Sequence, residues 1–336
     1  MTKSSKLKAL KLSALGGLAA LGLAASGTGA RAASLPDTIT TPKGLNLGST
    51  SFFDGFGRQT PGFSFIEYDR YENVNEIDGA TGQPNPLFKD TQIRVYVALS
   101  QLIYTSPYTL WGGHLAFSAA LPIVDYAKSN FAPSSIVKLS NNGTNIGDLV
   151  WGPIWQSPVY MKDGHPYFVW RVQFIISSPT GAVNPKVNIN QGVGYWGLAP
   201  HIAASFTPTK KLEFSTRLNY QYNLQGSTFS NPPPIPHLVY KTGQAGQIIY
   251  DNFTASYAVL PKLNVGLDGF VLFQLNPDKT NGQDVPKSLR NDLYIGPGLH
   301  YVFDPADSIN FNTYLRVINN NDSSGPKANI QYIHRF

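Results

Sequence analysis

Six histidines are the first place to look for chemistry in this chain, and their spacing supplies little. None stands in an HxxxH or HExxH pattern, and there is no cysteine, so neither a metal site nor thiolate chemistry is expected. His114 with Ser118, and His201 with Ser205, share a face of an extended segment, the arrangement to check for a hydrolase's base and nucleophile. At about 3.3 Å per residue along a strand, each pair is too far apart for a direct hydrogen bond. A pairing between neighbouring strands stays open, so a barrel lipid hydrolase remains an alternative. Gly192-Val-Gly-Tyr-Trp-Gly197 fits the GxGxxG spacing, but the dinucleotide fingerprint needs a strand before it and a helix after it. Here Leu198-Ala-Pro200 continues an extended run, so no dinucleotide is expected. These residues together imply no catalytic group and no cofactor.

The elements that would position any functional side chain are more informative. Leu212 to Leu224 alternates strictly, with Leu212, Phe214, Leu218, Tyr220 and Tyr222 on one side and Glu213, Ser215, Arg217, Asn219 and Gln221 on the other. Period-2 alternation marks a strand separating two environments. Similar patterns recur at 62–71, 90–104, 112–122, 147–157, 167–177, 194–206, 212–224, 247–260, 263–275, 292–303, 309–319 and 328–336. In the first of these Glu67 breaks the register set by Phe63 and Phe65. Many of the segments exceed the roughly 5–6 residues of soluble strands and suit the roughly 9–11 of tilted membrane strands. Short connections, such as Pro261-Lys262, alternate with long ones near 72–89, 123–146, 178–193, 225–246 and 276–291. The expected fold is therefore all-β: an antiparallel up-and-down transmembrane β-barrel of about twelve strands, with short periplasmic turns and long extracellular loops. A soluble sandwich or propeller would bury the apolar face. Strand length and the lack of an internal repeat weigh against it. Tyr104, Trp111, Trp151, Trp155 and Tyr301, near strand ends, suit interfacial girdles.

Both ends of the chain agree with export to an outer membrane. Lys3, Lys6, Lys8 and Lys11 precede an apolar run from Leu12 to Ala25, and Ala30-Arg31-Ala32 offers a small-x-small cleavage site. Residues 1–32 read as a signal peptide, 33–61 as an N-terminal segment that is periplasmic or plugs the lumen, and 62–336 as the barrel. The formal charge of +6 includes five positive residues ahead of Ala33, so the rest carries about 6 − 5, or +1. No nucleic-acid partner is expected from so small a charge. Ala328 to Phe336 alternates and ends on an aromatic residue, with Phe336, Tyr332 and Ile330 on one face and Asn329, Gln331 and Arg335 on the other. This strand should close on the first, near 62–71, to remove the sheet's free edges.

Several stretches resemble the outer-membrane family labelled for a meta-pathway of phenol degradation, which includes a sphingosine-induced outer-membrane protein. The resemblance rests on Gly147-Asp-Leu-Val-Trp-Gly-Pro153, Phe174-Ile-Ile-Ser-Ser-Pro-Thr-Gly181, Gly192 to Phe206, Leu212 to Asn223 and the terminal Phe336, and covers roughly residues 60 to 336. It implies transport of small hydrophobic or aromatic, phenol-like or lipid-like molecules across the outer membrane of a Gram-negative bacterium, not degradation chemistry. Barrels of this kind implicate Phe336 as a signal to the barrel assembly machinery. His334 departs from the apolar or aromatic residue common at that position.

With the apolar register on outer-membrane lipid, the polar register lines the lumen. The expected lumen or solute-path residues are Arg94, Tyr96, Arg171, Gln173, His201, Arg217, Asn219, Asp268, Phe270, Tyr294, His300, Asn312, Tyr314 and Arg316. Arginines there would favour anions, and Phe270, Tyr294 and Tyr314 would contact an aromatic solute. The structural alternative pairs Arg171, Arg217 and Arg316 with Glu213 and Asp268, because a packed lumen must satisfy its buried charges. A structural or adhesive barrel that only presents loops is the competing function.

Overall fold

The computed structural model describes residues 38, 39, 41, 46–230, 232 and 237–336. The expected signal peptide, residues 1–32, lies outside the described residues. Twelve long strands build one closed sheet: β1 (Gly62–Val74), β2 (Gln92–Leu110), β3 (Gly113–Asn130), β4 (Leu149–Gln156), β5 (His165–Ser178), β6 (Gly197–Phe206), β7 (Leu212–Asn223), β8 (Ile248–Leu260), β9 (Leu263–Gln274), β10 (Asn291–Val302), β11 (Asp307–Asn320) and β12 (Lys327–Arg335). Each pairs antiparallel with its sequence neighbours, and β12 returns to β1 with Tyr68 opposite Gln331 and Ile66 opposite Ile333. Closure pairs the backbone groups of every wall strand and leaves the barrel no open edge. No helix occurs among the described residues.

Turn chemistry sets the short rim. Trp111-Gly112 joins β2 to β3 with both φ angles positive, at 49° and 76°. That conformation matches the twist of a two-residue hairpin. Asp163-Gly164 closes a second tight turn before β5 in the same way, at 49° and 70°. The opposite rim carries the long connections 75–91, 131–148, 179–196, 224–247 and 275–290.

Burial shows which way each face points. On β7, Phe214 and Leu218 are 42% and 48% exposed, whereas Glu213, Arg217 and Asn219 are buried. A row of exposed Phe and Leu over a polar interior inverts the logic of a water-soluble domain, and it suits hydrocarbon outside and polar groups within. The same arrangement holds from β7 to β11, where Asn252, Asp268, His300, Asn310 and Asn312 face inward and buried.

The wall of β1 to β4 differs. Its inward register carries an apolar stripe, Ile66 on β1, Val97 and Ile103 on β2, Val124 on β3 and Ile154 on β4, among polar residues that include Ser64, Tyr68, Arg70 and Glu72 on β1. Pairing places Val97 opposite Val124 and Ile66 opposite Gln101. Val74, Ile93, Val124 and Tyr126 form a buried cluster near the long-loop rim, with Val95 and Val97 packed on it. The outward register of this wall carries carboxylates. Ser100 Oγ donates to Glu67 Oε2 at 2.6 Å, and the Tyr96 hydroxyl donates to Asp69.

Candidate functional site

The continuous described stretch of the N-terminal segment, residues 46–61, runs against the inward faces of the strands. Its backbone is held at successive points by side chains from around the ring. Gly48 N donates to Asn252 Oδ1 at 2.8 Å, and the Gly48 carbonyl accepts from Asn329 and, at 2.7 Å, from the Tyr314 hydroxyl. Ser51 Oγ donates to Asn312 Oδ1 at 3.1 Å and Phe53 N to Glu213 Oε1 at 3.0 Å. Gly55 N donates to Ser205 Oγ at 2.8 Å, and Gln156 Nε2 donates to the Gly55 carbonyl at 3.1 Å. A strand-free segment can lie inside a barrel only if its backbone groups find such partners. The approach is close enough to exclude side-chain carbon. A Cβ on Gly55 would sit 2.5 Å from Ser205 N and 2.8 Å from the Val169 carbonyl oxygen.

Asp54 is the electrostatic centre of this contact. Arg217 grips both its oxygens, with Nη2 at 2.5 Å from Oδ1 and Nε at 2.7 Å from Oδ2, and Arg171 Nη2 donates to Oδ1 at 3.0 Å. The three side chains are nearly buried, between 6% and 12% exposed. A two-point guanidinium–carboxylate contact fixes orientation as well as supplying energy. Two guanidiniums against one carboxylate also leave an excess of positive charge. Arg171 Nε and both ring nitrogens of His201 are buried without a partner.

Beside Asp54 a cavity lies between the inserted segment and the wall. Ile66, Ile103, Ile154 and Ile333 supply its apolar side, Phe52 and Phe56 its segment side, and Arg58, Arg171 and Arg335 its charge. It lies toward the short-turn rim. Val97 and Val124 continue the apolar surface toward the long loops.

The structure places Arg171, Gln173, His201, Arg217, Asn219, Asp268, Phe270, Tyr294, His300, Asn312 and Tyr314 on the inward side. They do not form one open path. Phe270 stacks on Tyr294 with centroids 4.9 Å apart and meets Tyr314 edge-on, and this trio packs on Leu47 of the inserted segment. Arg94 and Tyr96 are corrections, because they face outward. Asn73 and Tyr71 of β1 stand opposite them, and Ile93, Val95 and Val97 take the inward register. The polar-inside rule fails on β2 because its inward register is apolar, with Val95 and Val97 standing beside the Arg70–Glu72 pair of β1. The expected arginine partners are corrected too. Arg171 and Arg217 pair with Asp54, and Arg316 pairs with Glu76 and, at 2.7 Å, with Asp78 near the long-loop rim. Glu213 instead accepts from Phe53 N, Ser215, Thr254 and Ser256. Asp54, within the N-terminal segment 33–61, was not among the expected lumen residues. No histidine–serine hydrogen bond forms among the described residues. Ser205 bonds Ser215 and Gly55, while His334 bonds Asp307 at 2.7 Å and packs edge-on against Phe336.

A closed twelve-stranded barrel with apolar residues outward, short turns on one rim and long loops on the other is an outer-membrane β-barrel of the channel fold. The chain belongs to the family described as "Putative MetA-pathway of phenol degradation", which matches residues 74–330. Among solved structures it is similar to an outer-membrane channel from Pseudomonas putida, with a TM-score of 0.69 at 12% identity, covering 85% of this chain and all (100%) of that one. A mutant of the TodX monoaromatic hydrocarbon channel aligns at a TM-score of 0.40 and 8% identity, over 82% of this chain and 89% of that one. The NanC porin aligns at 0.40 and 9%, over 81% and 99%. No curated protein matches the chain in sequence.

Proposed function

We propose that this protein is a channel in the outer membrane of a Gram-negative bacterium that admits small hydrophobic solutes, aromatic ones among them. Lipid then covers its outward apolar band, and the barrel assembly machinery engages the strand that ends at Phe336. The observation that carries the reading is the apolar inward wall of β1 to β4, from Val124 and Val97 down to Ile103, Ile66 and Ile154. A water-filled pore has no use for such a wall. A solute that removes about 100 Å² of apolar surface from water against it gains roughly 2.5 kcal/mol. That corresponds to an enrichment of roughly sixty-fold beside the wall.

Residues 46–61 are bonded to inward side chains around the ring, so passage in this reading requires the segment to shift. The same bonding favours a second reading, a barrel that only presents its loops. Proteoliposome uptake of a panel of neutral aromatic solutes separates the two. The channel reading expects faster entry than into empty vesicles, and faster still when residues 46–57 are deleted. Equal entry in all three preparations removes it.

A further inference from the structure

The inserted segment carries one carboxylate among three phenyl rings: Phe52, Phe53, Asp54 and Phe56. Two arginines receive that carboxylate, and one of them, Arg217, takes both oxygens. The adjoining cavity presents four isoleucines, Ile66, Ile103, Ile154 and Ile333, beside Arg171, and Asp54 is the one acidic residue on its lining, against three arginines. Donor capacity remains on Arg171 Nε and on the His201 ring, both buried. A neutral hydrocarbon would need the isoleucines but none of the guanidiniums. An inorganic anion would need the guanidiniums but none of the isoleucines. A hydrophobic anion with one carboxylate uses both, because planar guanidinium matches planar carboxylate and the tail meets an apolar wall.

We propose that Arg171 and Arg217, with the isoleucine wall, form a binding site for a hydrophobic monocarboxylate, and that Asp54 holds the carboxylate position while the lumen is closed. This rests on the channel reading above and narrows its solute class. The segment is then a tethered competitor. Being attached to the barrel, it acts at an effective concentration in roughly the millimolar range or above, so the intact chain binds a free carboxylate weakly. A carboxylate solute that displaces Asp54 takes over its charge contacts and frees the segment to move. Asp54→Asn keeps the shape of the turn and removes the charge that competes.

The test titrates the purified full chain, in an uncharged detergent, with sodium benzoate, sodium octanoate and neutral benzyl alcohol, followed by calorimetry. Asp54→Asn should bind at least one carboxylate more tightly than the unaltered chain, on the order of ten-fold, with no matching gain for benzyl alcohol. Which carboxylate gains more tells an aromatic from an alkyl tail. Adding Arg171→Gln and Arg217→Gln should abolish the gain while the barrel keeps its heat-modifiable migration. Where Asp54→Asn does not fold, the variant lacking residues 46–57 carries the same titration. The proposal is overturned if carboxylates and benzyl alcohol gain equally, or if the gain survives loss of both arginines. Neutral aromatic uptake that stays above empty vesicles in that case leaves the channel reading intact. Neutral uptake no faster than empty vesicles, with the carboxylate gain present, removes the channel reading alone.

Discussion

The two sides of this barrel solve opposite problems. On β7 to β11 the lumen side holds a bonded polar lining. His300 Nδ1 lies 2.8 Å from Asn310 Oδ1, and Asn310 Nδ2 donates to Gln331 Oε1 at 2.6 Å. On β1 to β4 the lumen side carries a stripe of isoleucine and valine, from Val95 and Val97 to Ile66, Ile103 and Ile154, beside polar residues such as Tyr68, Gln101 and the Arg70–Glu72 pair, while Glu67, Asp69, Tyr96 and Ser100 face outward. Strand alternation therefore tells that two environments exist without telling which is which. One side can satisfy the inserted segment by hydrogen bonds and charge. The other offers it mainly surface, with Gln156 Nε2 donating to the Gly55 carbonyl, and a cavity remains between them. In the proposed channel the polar side holds the closed state and the apolar side carries the solute.

Four changes break or sharpen this contrast. Gly55→Val acts most strongly, because its side chain would be driven into Ser205 N and the Val169 carbonyl. The segment should fail to seat, and conductance in planar bilayers should rise by about an order of magnitude. Conductance at the original level would show that the segment does not close the lumen. Asp54→Ala leaves Arg171 and Arg217 facing each other unpaired. Barrel unfolding in urea should become easier by about 3–5 kcal/mol, and adding Arg217→Leu should recover part of that loss. Asn310→Leu on the polar side orphans His300 and Gln331 and should cost about 1–3 kcal/mol in the same assay without slowing entry of neutral aromatics. Glu67→Leu with Asp69→Leu should raise stability in lipid vesicles by up to about 1 kcal/mol, since outward carboxylates are mildly unfavourable there. A loss of stability would mean that a polar partner covers this face.

Much of this architecture could be read in the sequence. Strand number, antiparallel order and closure of Ala328 to Phe336 onto the first strand follow from long alternating segments separated by turn residues, and the registry of β12 on β1 agrees. The inward placement of Arg217, Asn219 and Asp268 follows from the same pattern, because their strands alternate strongly. In β2 the two registers are nearly balanced, with Ile93, Val95, Val97 and Leu99 against Arg94, Tyr96, Ala98 and Ser100. Assigning the polar set to the lumen assumed a polar lumen, and that assumption misplaced Arg94 and Tyr96. Asp54 was out of reach for another reason. Its partners lie 117 and 163 residues away, and no local periodicity links a turn to the far wall. Long-range charge pairing is visible only once the segment is seen inside the ring.

In the proposed channel the solute travels along the apolar stripe. The most direct test is entry of a neutral aromatic into proteoliposomes holding the chain without residues 46–57, compared with the same protein bearing Ile103→Asn. Entry should be faster than into empty vesicles and should be cut by on the order of ten-fold by the amide, which removes apolar contact and adds a polar group to solvate. Entry unaffected by Ile103→Asn in a correctly folded barrel would contradict this route.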